Sequence, residues 1–498
     1  MRILSKSKIM AFRQCPKRLW LEVHQPDLRI DSDKSEAKFE VGNQVGAIAQ
    51  SIYDPYSNGE VIDIKSEGFE RALERSKELL NSSKPIFEAG FSASGALAFA
   101  DVILPDQIDG MPAWRMIEVK SSTSVKDYHR EDVAIQTYIA KSAGVHLKSI
   151  SIAHIDSSWV YPGNYDYAGL LVEYDLTQDT LVREQEVMSW ISEAQNVIQG
   201  TEPAIQTGDH CITPFDCGFY DYCSRDEIKA EFPISWLPRL GSIKAKKLAE
   251  KGIHDLREVP DDFLNKTQKI VRDYTKSDSV YFDSEATFRS LSELPLPAYF
   301  LDFETIQFAV PIWQGTRPYQ QITFQFSVHV LNQNESLDHA EFLDLSSEDP
   351  SRKFAISLIN ACGKDGPVFV YNAGFETSRI RELAERYPEL KDQLLAINDR
   401  VVDLLPIARN HYYHPSQQGS WSIKKVLPAL VPELSYQNLE GVKDGGMAMT
   451  AFLEAIHPST SLERKANIKC QLLDYCKLDT YAMVKLWQVF ANRNDLEL

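Results

Sequence analysis

The sequence predicts a mixed α/β protein with more than one domain. Three observations lead there. Apolar runs of strand length alternate with amphipathic stretches of helical period in both halves of the chain. A Leu294-Pro295-Leu296-Pro297 break separates two such alternations. The 498 residues suffice for about three domains at roughly 150 residues each.

In chain order, Phe69–Leu80 has helical periodicity, and Ile86–Phe91, Ala96–Leu104, Ala113–Val119 and Ser149–Ile155 read as strands. Asp132–Gly144 and Leu181–Gly200 read as helices, followed by a cysteine-rich segment. Pro233–Pro260 is short, helical and basic, and Asn265–Ser290 is a polar stretch. Beyond the break, Tyr299–Phe303, Ile322–Leu331, Ala340–Leu345 and Pro367–Tyr371 read as strands. Ser351–Ala361, Glu376–Tyr387 and Ala466–Ala491 read as helices, which gives a mixed sheet with helices on its faces. The expected domains are 1–228, a helical linker 229–292, and 293–498.

With 43% hydrophobic and 25% charged residues, the composition is that of a globular protein and excludes bulk disorder. The 7 cysteines and 23 glycines exclude a disulfide-built mini-protein and a collagen-like chain. No window is apolar for long enough to span a bilayer, and no apolar stretch follows the basic Met1–Lys8 segment. A cytosolic protein with reduced thiols and no membrane partner is therefore expected. A net charge of −18 argues against coating nucleic acid through bulk charge, but not against an enzyme with a local basic channel.

Cys211, Cys217 and Cys223 fall within thirteen residues, and Cys15 lies far upstream in Phe12-Arg13-Gln14-Cys15-Pro16-Lys17-Arg18. Four thiolates can hold zinc or an iron–sulfur cluster, and spacing alone does not choose. Cys362, Cys470 and Cys476 read as small buried hydrophobes. The N-terminal pattern from Ser5 to Trp20, closed by the distal trio, resembles the RecB-like PD-(D/E)xK nucleases with an iron–sulfur staple, such as the AddB and CRISPR-adaptation nucleases. The resemblance implies a restriction-endonuclease-like fold and a [4Fe–4S] cluster on Cys15, Cys211, Cys217 and Cys223. The first gap of the trio is longer than the commoner family spacing, so His210 competes with Cys211.

That resemblance also implies an acid and then an (D/E)-x-K on the next strand. Asp101 in Phe99-Ala100-Asp101-Val102-Ile103 and Glu118-Val119-Lys120 supply them. Strand alternation projects Glu118 and Lys120 to one face. The two carboxylates would hold Mg2+ or Mn2+, and the lysine would orient water and offset developing charge. Glu40 is a candidate additional metal ligand, and Gln136 a candidate DNA contact. Tyr138 reads as helix packing.

The middle segment, Leu237-Pro238-Arg239-Leu240-Gly241 through Gly252, resembles a helix-hairpin-helix element. Such elements bind DNA phosphate through backbone N–H groups at a helix N-terminus. Lys244, Lys246, Lys247 and Lys251 would reinforce that, or form a solvated face.

The second half carries its own acids. Asp302 and Glu304 share one face of an apolar strand, Glu376 follows another, and Tyr475 and Asp479 share a helix face. Such a set suits a two-metal phosphodiester site. Its order resembles the DEDDy 3′→5′ exonucleases, which have a ribonuclease H-like fold. Glu376 stands where the family has Asp, and Asp403 could substitute for it.

The expected function is a two-headed Mg2+- or Mn2+-dependent nuclease acting on DNA, single-stranded or at ends, in repair or in defence against foreign DNA. The alternatives are a module that binds nucleic-acid ends for a helicase or similar partner, and a second head that acts on RNA.

Overall fold

The computed structural model describes residues 2–31, 33–227 and 229–496, with the side chains of 33–38 outside that description. The chain forms two compact units: 1–227 with 308–319, and 228–307 with 320–498. The expected linker 229–292 therefore belongs to the second unit, and 308–319 to the first. The reason for the former is apolar: Leu237, Leu240, Leu248 and Leu256 lie in one buried cluster with Leu404 and Trp421.

The first unit is built on β1 (Leu4–Ser5), β2 (Glu60–Val61), β3 (Ile86–Ala93), β4 (Ala96–Ile108), β5 (Met111–Lys120), β6 (Leu147–Ile155) and β7 (Leu171–Asp175). The sheet order is β2-β3-β4-β5-β6-β7, with β1 parallel to β4. Two tight hairpins set the register around β4. Ser94 and Gly95 join β3 to β4 with φ of 54° and 75°, and Asp109 and Gly110 join β4 to β5 with φ of 51° and 80°. Both central residues in the left-handed region is the turn that matches strand twist. β5 and β6 are parallel, so a crossover is required. The helix Asp127–Ser142 provides it, with Val133, Ile135 and Ile139 in the core beside Ala98, Ala100 and Ile103.

The second unit contains β8 (Tyr281–Phe282), β9 (Ala298–Ile306), β10 (Ile322–Leu331), β11 (Leu337–Leu343), β12 (Val368–Val370), β13 (Val401–Asp403) and β14 (Tyr412–Tyr413). Its main sheet runs β11-β10-β9-β12-β13, with β10 antiparallel to both neighbours and β12 parallel to β9 and β13. Alternation on β9 separates two cores. Phe300 packs with Phe369, Met483, Trp487 and Phe490, which includes the long helix Leu462–Phe490. Leu301 and Phe303 pack with Phe354, Leu358, Ile380 and Leu383 from the helices Ser351–Ala361 and Gly374–Arg386.

Several expectations are corrected in detail. Asn265–Ser290 is not merely polar: it holds the helices Lys266–Ser277 and Ser284–Leu291, capped by Asn265 and Asp283, with Val271 and Leu291 buried. Leu181–Gly200 is two helices, Thr177–Val182 and Glu184–Gln199. The N-terminal region forms helices Lys6–Gln14 and Pro16–His24, broken at Cys15 by the extended backbone that precedes Pro16. Cys362 and Cys476 are buried as expected, whereas Cys470 is exposed. Among the described residues, no helix is long and apolar enough to cross a membrane.

Candidate active sites and cysteine cluster

In the first unit, the pairing of Val102 with Ile117 sets Asp101 across from Glu118. The Val119 N–H donates to Asp101 Oδ2 at 2.6 Å. Lys120 Nζ lies 2.7 Å from Glu118 Oε1 and 2.6 Å from Asp132 Oδ2. Lys6, which sequence reading missed, makes a parallel pair of contacts, 2.7 Å to Glu118 Oε1 and 3.2 Å to Asp132 Oδ1. Two lysines are thus interleaved with three acids. Burial pushes Asp101 up to about 8, helped by repulsion from Glu118. Burial also opposes the charge on Asp132, but Lys120 and Lys6 outweigh it and hold that carboxyl below its usual range. Glu118 is 3% exposed, and its Oε2 is buried with no hydrogen-bond partner.

Glu88 is a second residue that sequence reading missed. It lies between the Phe87–Val102 and Ala89–Ala100 pairs, across from Asp101, with φ of 57°. Left-handed backbone in mid-strand is costly and clusters at functional sites. Burial, then Glu118, raises its carboxyl.

Gln136 is corrected: it is fully buried, and its amide donates to the Phe99 carbonyl. It braces β4 two residues from Asp101 and is not presented to nucleic acid. Asp132, one turn earlier on the same helix face, is the polar group that reaches the site. Glu40 is exposed on the helix Asp33–Tyr53. Tyr138 donates to Ser94 Oγ at 3.5 Å.

Cys15, Cys211, Cys217 and Cys223 line one small cavity, together with His210, Lys17 and Arg18. All are free thiols. The cavity joins segments far apart in sequence. Gln14 Nε2 donates to the His210 and Phe215 carbonyls, both at 2.7 Å, and the Ile30 N–H donates to Gly218 at 2.9 Å. Lys17 pairs with Glu202 at 3.0 Å. Burial raises the thiols of Cys217 and Cys223.

The basic middle segment folds as the helix Ser242–Glu250, entered through Gly241 with φ of 77°. Lys246 and Lys247 are exposed. Lys244 donates to the Phe263 carbonyl at 2.8 Å, and Lys251 sits 4.6 Å from the Phe263 ring centre.

In the second unit, Asp302 and Glu304 project from β9 toward the helix Leu462–Phe490, which carries Tyr475 and Asp479. Among the described residues, Asp302, Glu304 and Asp479 form the metal-compatible group, with ligand atoms all within 4.8 Å of one another. Glu376 is outside that group but close enough that its charge raises Asp302. It is 3% exposed, its Oε2 has no partner, and burial pushes it up to about 8. Burial pushes Asp302 well above the carboxylate range, reinforced by Asp479, Glu304 and Glu376. Glu304 rises to about 8 through burial and then Asp479. Asp479 reaches only about 6, because the Tyr436 hydroxyl, 2.6 Å away, offsets part of the burial. Four acids crowded in a low-dielectric site repel each other, and a cation relieves that repulsion.

Asp403 is spoken for. Its carboxylate accepts from the backbone N–H groups of Asn372, Ala373 and Leu405 at 2.9, 3.0 and 2.9 Å, so it fixes the end of β12 and not the acid group. Lys424 and Tyr436 complete the site and were not found from sequence. Lys424 Nζ lies 2.9 Å from the Tyr475 hydroxyl. No motif marks Lys424 in a segment that carried no strand or acid signal.

The geometry defines a mixed α/β protein with two buried, acid-rich clusters on sheet strands. Residues 299–422 match the family described as a domain of unknown function, DUF2779. That stretch includes Asp302, Glu304 and Glu376 and stops short of Lys424, Tyr475 and Asp479. An uncharacterized protein of Mycoplasma genitalium is 27% identical over 221 residues, which is 40% of this chain and 33% of the relative. A homologue of it in Mycoplasma pneumoniae is 27% identical over 208 residues, 38% of this chain and 31% of the relative. The matches thus span about a third of the length of these curated relatives.

Proposed function

We propose that this protein is a divalent-metal-dependent nuclease with two phosphodiesterase sites, the second a 3′→5′ exonuclease. The observation that carries the reading is the Asp302–Glu304–Asp479 group, three carboxylates with ligand atoms within 4.8 Å, Glu304 and Asp479 buried and Asp302 half-buried, with the Tyr475 hydroxyl beside them. The donor set is all oxygen, which suits Mg2+ or Mn2+. Held there, such an ion would supply Lewis-acid stabilisation of a phosphoryl oxygen and an activated water. Tyr475 holds its hydroxyl toward the acids, and Lys424 Nζ donates to it at 2.9 Å. The strand order β11-β10-β9-β12-β13, with three antiparallel strands followed by two parallel ones, supports a ribonuclease H-like fold for this unit.

For the first unit, Asp101 opposite Glu118-Val119-Lys120 supports a PD-(D/E)xK nuclease. There the lysines already neutralise Glu118 and Asp132, so metal must compete with Lys6 for Glu118. The four cysteines line one small cavity, which supports the [4Fe–4S] cluster that the resemblance implies, with zinc as the alternative. The cluster would tie the N-terminal helices to the 200–223 segment. Free thiols suit a reducing cytoplasm.

DNA is the proposed substrate, in repair or in defence against foreign DNA, with RNA at the second site as the alternative. A helicase or similar partner would supply ends. Anaerobically purified protein should cut 3′- and 5′-labelled single strands with Mn2+ or Mg2+. Lys120→Ala and Asp302→Ala should each remove a distinct cleavage pattern. Binding without cleavage by either metal would refute the reading and leave an end-binding module.

A further inference from the structure

The second unit contains a cavity of about 680 Å³ lined by Arg239, Arg409, Tyr371, Trp421, Thr267 and Ser422, among others. None of the acids assigned above lines it, and no carboxylate of any kind does. Its volume falls in the range of small-ligand sites, roughly 300–1,000 Å³.

The walls are fixed before any ligand arrives. Gly419, with φ of 74°, lies so close to the hairpin segment that a Cβ there would stand 1.6 Å from the Trp236 carbonyl oxygen. Gln268 Nε2 donates to the Pro238 carbonyl at 2.9 Å, the Tyr371 hydroxyl to Trp421 at 2.6 Å, and Trp421 Nε1 to Tyr412 at 2.7 Å. These bonds tie the 236–240 segment, the end of β12 and residues 419–423 into one rim.

Among the described residues, the two guanidiniums in this rim have no carboxylate partner. Most arginines of the chain do, such as Arg257 with Asp255 at 2.8 Å and Arg386 with Asp349 at 2.5 Å. Arg239 is held exposed at the cavity by backbone with φ of 53°. Arg409 is half-buried beside Tyr371. In a chain of net charge −18, two unpaired arginines facing an acid-free cavity with aromatic walls are not placed for solubility. Forked guanidiniums recognise phosphate, and the aromatic walls suit a base or sugar face.

We propose that this cavity is a nucleotide-phosphate site, with Arg239 and Arg409 as the anion clamp. It rests on the nuclease reading only for the choice of ligand. The phosphate would belong either to a free mononucleotide or to the backbone of a single strand.

The test is calorimetric titration of the whole chain in chelator, where no cleavage occurs. The probes are adenosine 5′-monophosphate and a short single-stranded oligonucleotide. At least one probe should bind, and Arg239→Ala and Arg409→Ala should each weaken it by about tenfold or more. Binding of the mononucleotide identifies a free-nucleotide site, and binding of the oligonucleotide alone identifies a backbone site. Arg239 is exposed, so its replacement does not threaten folding. Wild-type affinity in Arg239→Ala, or no binding of either probe, would overturn the proposal. Loss of binding in the arginine variants without any metal-dependent cleavage would leave the cavity standing while the nuclease reading falls.

Discussion

Lys424 Nζ donates to the Tyr475 hydroxyl oxygen at 2.9 Å, with the ammonium 4.8 Å from the centre of the same ring. Because the lysine supplies the donor, the tyrosine keeps its own proton for a second partner, and Asp479 is the acid on that side. Burial, then Asp479, raises the phenol, so Tyr475 acts as a neutral donor.

Tyr475→Phe should therefore lower kcat at the second site by about 10²-fold, the scale of one positioned proton donor. Lys424→Ala should cost about 10–100-fold, the scale of an outer-shell orienting group. Both changes should leave KM within a few-fold, and steady-state kinetics on a 3′-labelled strand checks the split.

The raised carboxyls make a statement about pH. Asp302 lies well above its usual value and Glu304 near 8, so these two acids hold more protons in the folded chain than in the unfolded chain above about pH 4. Stability of metal-free protein should then fall as pH rises from about 5 to about 8. Divalent metal needs the charged acids, so its stabilising effect should grow over the same window. Melting temperatures in chelator and in Mn2+ at both ends of the window read this directly. A metal-induced shift that shrinks with pH would contradict it.

Cys15→Ser should strip iron from anaerobically isolated protein, with loss of visible absorption. Amides in 6–24 and 209–223 should exchange faster together, because the segments share the cysteine cavity and the Gln14 bonds. Zinc in stoichiometric amount with no iron would show the cluster assignment to be wrong.

Gly366 tests the start of β12. Its φ is 86°, and a Cβ there would lie 1.8 Å from the Pro297 carbonyl oxygen. Gly366→Ala should destabilise the chain by about 2 kcal/mol or more, since both backbone strain and a backbone clash must be relieved. Denaturant unfolding measures it.

The strands around both acid sites were legible because their apolar runs are bounded by turn chemistry. Asp302 and Glu304 stood out as acids inside such a run, and β9 places them together. Lys6 and Asp132 were not legible as site residues, since their meeting depends on a helix and a strand brought together across the first sheet. Gln136 was misread because helical position alone does not tell a buried amide from a presented one. The 265–290 stretch concealed two helices that reach the core through few apolar residues, Val271 in the first and Leu291 in the second. Lys424 lies in a short helix with no acid or cysteine pattern, so only its contact with Tyr475 reveals it.

The most direct measurement is single-turnover release of mononucleotide from a 3′-labelled strand against Mn2+ concentration, comparing wild type with Asp302→Asn. Wild type should show saturable, metal-dependent release, and the variant should lose about 10³-fold or more, the scale of a ligand central to charge stabilisation. Equal release by both proteins, or release that does not depend on Mn2+, would contradict it.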